Sequence, residues 1–223
     1  LSRKKVYIDN EGSSNSVKDL LDEDQKKACN IINANYITLL SGIWGTGKTL
    51  TAIYYALKKL EERRIERIFI SNPGSDIHQL GFLPGTVSEK CEPLMMPMIR
   101  SIEKLIGKTQ SDYYRDKGII QIVPFQYMRG FNMENSVAIC DECQNMEFND
   151  FKTITTRLCK GSKLIFCGDI AQMDISKSKS GLARFMKFED KEFAICELTN
   201  NHRAPIVERL SKFFAEEENK KAS

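Results

Sequence analysis

The sequence predicts an α/β fold: a parallel β-sheet with helices on both faces. Three observations predict it. Short apolar runs alternate with helical patterns along most of the chain. The runs are apolar almost throughout, rather than at every second residue, as in strands buried on both faces. One run leads through a glycine-rich turn into a helix, and parallel sheets bind ligands at the carboxyl ends of their strands.

Taken in order, residues 1–16 read as a flexible N-terminal segment, because Asn10 to Ser16 is polar with Gly and Ser. Residues 17–215 read as one domain, and 216–223 as a charged tail. Asp19 to Ile32 is expected to be helical and Tyr36 to Leu40 a strand. Lys48 to Glu62 reads as a helix, since Ile53, Ala56, Leu57 and Leu60 fall on one face. Ile68 to Ser71 reads as a strand, with a loop rich in Gly and Pro after it. Cys91 to Ile106 is expected to be helical after its prolines. Further strands are expected at Ile119–Val123, Val137–Cys140, Lys163–Cys167 and Phe193–Leu198, with helices between most of them.

Composition narrows the function classes. No stretch approaches the length needed to span a bilayer. The basic residues near the N-terminus have no apolar core behind them, unlike a signal peptide. A soluble, cytoplasmic protein without a membrane partner is expected. The net charge of +3 permits a nucleic-acid partner without demanding one. Arg63-Arg64 and Lys177-Ser178-Lys179 read as solvated faces. The seven cysteines are irregularly spaced and sit mostly in apolar runs, as buried thiols in a reducing compartment do. Cys140 and Cys143 form a CxxC pair, but no second pair follows and the only histidines are His78 and His202. The pair therefore reads as two thiols bracketing an acidic motif rather than as a zinc or redox site.

Gly42-Ile43-Trp44-Gly45-Thr46-Gly47-Lys48-Thr49 matches the phosphate-loop pattern GxxxxGK[ST] in full. Glycines let backbone N–H groups turn inward toward phosphate oxygens. The helix starting near Lys48 points its positive end at the anion. Lys48 adds a mobile charge for the β- and γ-phosphates, and Thr49 a hydroxyl for Mg²⁺. The expected nucleotide-binding residues are Gly42, Ile43, Trp44, Gly45, Thr46, Gly47, Lys48, Thr49 and Leu50. Val137 to Cys140 then ends in Asp141-Glu142. Asp141 is expected to hold Mg²⁺ with Thr49. Glu142 is placed to orient and deprotonate an attacking water.

Together these motifs resemble a superfamily 1 helicase core reduced to one RecA-like domain, a P-loop NTPase. The resemblance is to the PhoH-like family of phosphate-starvation-inducible ATPases. It is carried by Gly81-Phe82-Leu83-Pro84-Gly85 with Lys90, Pro93 and Pro97, by Tyr127-Met128-Arg129-Gly130, by Asp141-Glu142-Cys143-Gln144-Asn145, by Gly168-Asp169-Ile170-Ala171-Gln172 with Ser180-Gly181-Leu182, and by Leu198-Thr199-Asn200-Asn201-His202-Arg203. It runs from about Leu21 to Phe214. Trp44 stands where the family has a small residue, Asn72 where it usually has Arg, and Cys143 where it has Ala.

The resemblance implies further roles. Gln25 matches a position that reads the adenine edge, where an amide can donate and accept at once. Gln172 matches the residue that contacts the γ-phosphate and couples it to motion. Arg203 matches the arginine that neutralises γ-phosphate charge, and Arg129 is a second candidate for that task or for a nucleic-acid phosphate. The implied activity is ATP hydrolysis with Mg²⁺, stimulated by RNA or single-stranded nucleic acid and helicase-like. The alternatives are a small-molecule kinase and a nucleotide-dependent scaffold or switch. A homo-oligomer, as a hexameric ring, is expected to close the site.

Overall fold

The computed structural model describes residues 16–73, 87–128, 130–169, 180–207, 209, 210 and 213, with backbone alone for 87–94. Its strands are β1 (Ile37–Ser41), β2 (Arg67–Ser71), β3 (Ile120–Ile122), β4 (Ser136–Cys140), β5 (Lys163–Gly168) and β6 (Phe193–Glu197). They form one sheet in the order β3-β2-β4-β5-β1-β6, with every neighbouring pair parallel. Each expected strand is present, with ends that differ by a residue or two.

The helices, in chain order, are α1 (Glu23–Ala34), α2 (Lys48–Glu61), α3 (Val87–Ile106), α4 (Lys108–Asp116), α5 (Phe125–Met128), α6 (Phe148–Thr155) and α7 (Leu182–Phe185). Side chains alternate across a strand, so the central strands feed two cores. Leu40, Ile68, Ile70, Val137, Ile139, Ile165 and Cys167 face one side and pack with Ala28, Ile53, Ala56, Leu57 and Ile102 of α1, α2 and α3. Leu39, Phe69, Ala138, Cys140, Leu164 and Phe166 face the other, against Met128, Phe151, Ile154 and Leu182 of α5, α6 and α7. On that side the Phe151 ring lies 4.5 Å from Phe185 and 5.0 Å from Phe166, centroid to centroid. The expected sheet with helices on both faces is therefore the fold observed.

Two helices start elsewhere than expected. α1 begins at Glu23 rather than Asp19, because Asp22 caps it. The Asp22 carboxylate accepts the Gln25 N–H at 2.8 Å, and the Gln25 side chain accepts the Asp22 N–H at 3.2 Å. α3 begins at Val87, ahead of Cys91, and its helical backbone runs through Pro93 and Pro97. The expectations for 1–15 and for the tail lie outside the described residues.

The topology brings the motifs to one rim. β5 lies between β1 and β4, so the turns leaving β1 and β4 meet across a single intervening strand, with strands about 4.8 Å apart. Gly42–Gly47, Asn72, Asp141-Glu142, Asp169 and Leu198–Arg203 all follow the carboxyl ends of parallel strands.

Candidate nucleotide-binding site

The glycine-rich turn is the first wall. Gly45 and Gly47 have φ of 83° and 79°, in the left-handed region where a side chain is strained. Gly47 is also the N-cap of α2 and offers no side chain to it. The first N–H groups of α2 are thus left to bind an anion. Lys48 Nζ donates to Gly42 O at 2.6 Å and Ile43 O at 3.2 Å, so its ammonium sits against the carbonyls of the turn. Thr46 is buried and its hydroxyl donates to Ile43 O at 3.0 Å. Ile43 and Trp44 stand out from the turn, 38% and 37% exposed. Leu50 turns inward and packs on the core.

The second wall is acidic. Thr49 Oγ1 donates to Asp141 Oδ1 at 2.7 Å, across 92 residues of sequence. Burial pushes the Asp141 carboxyl up to about 6, against the pull of the Thr49 hydroxyl and the Lys48 charge. A hydroxyl and a carboxylate side by side are hard oxygen donors of the kind that hold Mg²⁺ beside a phosphate chain. These residues fit the expected ion. Glu142 is exposed and sits at φ 52°, ψ 39°. A non-glycine residue in that region stores strain, which tends to occur at functional sites.

The third wall joins segments far apart in sequence. The His202 N–H donates to Gly45 O at 3.0 Å, and the Arg203 N–H to Asn201 Oδ1 at 2.8 Å. A Cβ on Gly45 would lie 2.6 Å from Arg203 Cγ, so the arginine stem rests on the turn. Gln25 is buried, and its Nε2 donates to Thr46 O at 3.0 Å and lies 3.2 Å from His202 Nε2. Its Oε1 caps α1, so both ends of this amide engage the protein. Asp22 Oδ2 lies 3.1 Å from His202 Nε2 and accepts from Asn200 Nδ2 at 3.2 Å. Burial opposes ionisation of Asp22, yet the Gln25 N–H, the Asn200 amide and His202 together hold its carboxyl below the usual range.

Asp22, Asn200, Asn201 and His202 were not among the expected site residues. The sequence carried a partial signal for Asp22, whose spacing to Gln25 is that of a capping box. The others meet the turn only through the fold. Gln172, Arg129 and the Gly81–Gly85 stretch lie outside the described residues. Among the described residues there is no group of three or more His, Cys, Asp or Glu placed to hold a metal ion, and no helix is long and apolar enough to cross a membrane. Cys140, Cys143 and Cys167 are fully buried, and burial drives their thiols well above the usual range.

Comparison with known proteins bears on the same residues. A family model described as PhoH-like protein matches residues 19–215. A PhoH-like protein of Bacillus subtilis (strain 168) is 38% identical over 141 residues, 62% of this chain and 44% of that protein. A PhoH-like protein of Mycobacterium tuberculosis (strain ATCC 25618 / H37Rv) is 34% identical over 200 residues, 85% of this chain and 57% of that protein. The chain thus spans about half the length of the curated relatives it matches. Among solved structures, the large terminase from a thermophilic bacteriophage superposes with a TM-score of 0.55 at 11% identity, over 84% of this chain and 48% of that one. At that identity the likeness speaks for the fold alone, a RecA-like P-loop domain.

Proposed function

This chain belongs to the PhoH-like family, and from that premise we propose that it is a Mg²⁺-dependent ATPase stimulated by RNA or another single-stranded nucleic acid. The observation that carries the reading is the Thr49–Asp141 bond of 2.7 Å, set at the mouth of a helix whose N-terminus lacks a side-chain cap. Phosphate and a divalent ion are the ligands that such a pairing suits.

The reaction is hydrolysis. A water oxygen attacks the γ-phosphorus, and the Glu142 carboxylate takes a proton from that water. The bond between the γ-phosphorus and the bridging oxygen breaks, and ADP leaves with the electron pair. Lys48 and the N–H groups of Gly45 to Thr49 hold the charge of the β- and γ-oxygens. Arg203 neutralises charge that develops on the γ-phosphoryl group, a contribution of about 10³- to 10⁵-fold where an arginine finger acts. When bound, Mg²⁺ would be held by Thr49 and Asp141 and would neutralise phosphate charge. Gln172 senses the γ-phosphate, and Gln25 supports base recognition from the first turn of α1. Arg129 serves a nucleic-acid phosphate or a neighbouring subunit.

A steady-state phosphate-release assay, run with ATP and Mg²⁺ in the presence and absence of single-stranded RNA, tests the proposal. Phosphate release that rises with RNA supports it. Tight nucleotide binding with no phosphate release in either condition overturns it in favour of a scaffold or switch. Phosphate appearing on an added small acceptor rather than in water makes the protein a kinase.

A further inference from the structure

Gln144 is a buried polar residue that phosphate chemistry leaves without a task. β4 ends at Cys140, and the chain passes through Asp141 and Glu142 into a 3-10 turn at Cys143–Asn145. Glu142 takes the left-handed conformation at the entry to this turn, where a side chain is costly. The surroundings must hold it there. Gln144 is 1% exposed and stands directly behind it. Its Nε2 donates to Glu142 Oε2 at 2.5 Å, while its Oε1 accepts the Asp169 N–H at 3.2 Å. An amide donates and accepts at its two ends, and no other side chain of this length does both without a charge. Its backbone carbonyl accepts the Ser180 hydroxyl at 2.7 Å.

The neighbours make room for this arrangement. A Cβ on Gly168 would lie 3.0 Å from Gln144 Oε1 and 2.5 Å from Cys143 Sγ, so a larger residue at the end of β5 would push the amide away. The Gly181 N–H donates to Met146 O at 2.7 Å, which docks the Ser180–Leu182 segment on the same turn. One buried residue therefore links the carboxylate after β4, the end of β5 and the segment entering α7.

We propose that Gln144 is the positioning residue for Glu142: it fixes the carboxylate through Oε2 so that the other oxygen meets the attacking water, and it registers that carboxylate to the end of β5. The inference rests on the hydrolytic reading above. Gln144 is buried and acts through Glu142. Its loss therefore lowers kcat and leaves nucleotide binding in place, whereas a residue that only supports the fold would lower stability and affinity together.

The test uses Gln144→Met, which keeps the length and packing and loses both amide bonds, and Gln144→Glu, which keeps the acceptor for Asp169 and replaces the neutral donor with a second carboxyl that competes with Glu142 for one proton. Phosphate release, nucleotide affinity by calorimetry and thermal melting are measured for each. The expected result is a fall in kcat of about 10²-fold, the scale of a misplaced general base, with KM and nucleotide Kd changed by no more than about twofold. Adding Gln144→Met to Glu142→Gln is expected to cost nothing further, since residues acting as one unit are not additive. If the unaltered protein hydrolyses ATP and Gln144→Glu retains its full kcat, the positioning role is overturned and the hydrolytic reading stands. The role is equally overturned if Gln144→Met costs as much in the Glu142→Gln background as alone. If Gln144→Met does not fold, Gln144→Glu decides the matter by the same split between kcat and KM. An unaltered protein that releases no phosphate overturns both readings.

Discussion

In the proposed reaction Lys48 and Glu142 serve different stages of turnover, and separate substitutions tell them apart. Lys48→Ala removes charge-assisted hydrogen bonds to phosphate, each of about 1.5–3 kcal/mol, so nucleotide affinity should fall roughly 10- to 100-fold. Glu142→Gln keeps the shape and the binding but loses the base, and hydrolysis should fall by about 10²- to 10⁴-fold. Isothermal titration beside a phosphate assay checks the pair, and unimpaired hydrolysis by Glu142→Gln removes that residue from water activation. Trp44 is the only tryptophan in the chain, and it stands 37% exposed in the phosphate turn. Its fluorescence should change when Mg·ATP is added. A flat titration, at a concentration where calorimetry shows binding, means that the indole faces away from the phosphates. Lys48, Thr49, Asp141 and Glu142 were legible in sequence because their chemistry requires those residue types at fixed local spacing. The contacts of Gln144 and His202 were not legible. Their partners are set by how strands order in the sheet, and Gln25 and His202 meet across 177 residues.

At the scale of elements, the central strands were legible because burial on both faces makes them largely apolar, and that signal does not depend on neighbours. Helix starts were less so. The sequence reading starts α1 at Asp19, whereas the structure starts the helix at Glu23, where the Asp22 side chain replaces a missing hydrogen bond. That cap does more than begin a helix, since its second oxygen faces Asn200 and His202 on the third wall of the site. Asp22→Ala should therefore destabilise the protein by about 1–2 kcal/mol, the scale of a lost N-cap. Asp22→Asn keeps an acceptor for the Gln25 N–H and should retain most of that stability. Urea unfolding checks this through a lower midpoint with an unchanged slope. An unchanged midpoint for Asp22→Ala would mean that the cap and the contacts to residues 200–202 contribute nothing net.

At the scale of the molecule, the open question is what covers the rim. The net charge of +3 is too small to attract nucleic acid as a whole, so any binding should come from local Lys and Arg contacts. Affinity for a single strand should then fall with salt, by a log–log slope of roughly −0.7 per phosphate contact; a salt-independent affinity would refute this electrostatic account. Coverage of the nucleotide is a separate matter. Glu142, Ile43 and Trp44 are exposed among the described residues, and an open site lets water screen the charges that catalysis needs. A neighbouring copy in a head-to-tail ring, expected to be hexameric, would cover it. Arg203 is expected to act within its own chain, because its stem rests on Gly45 of that chain. Arg129 is then the arginine expected to act on a neighbour. Mixing inactive variants decides between them. Glu142→Gln mixed with Arg203→Ala should recover no activity, because each chain carries its own defect into its own site. Glu142→Gln mixed with Arg129→Ala should recover part of it, because some interfaces then pair an intact Glu142 with an intact Arg129. Recovery in the first mixture would move Arg203 across the interface. A failure of both mixtures, with subunit exchange demonstrated, would confine both arginines to their own chains, and a strictly monomeric protein with full ATPase activity would remove the need for a ring.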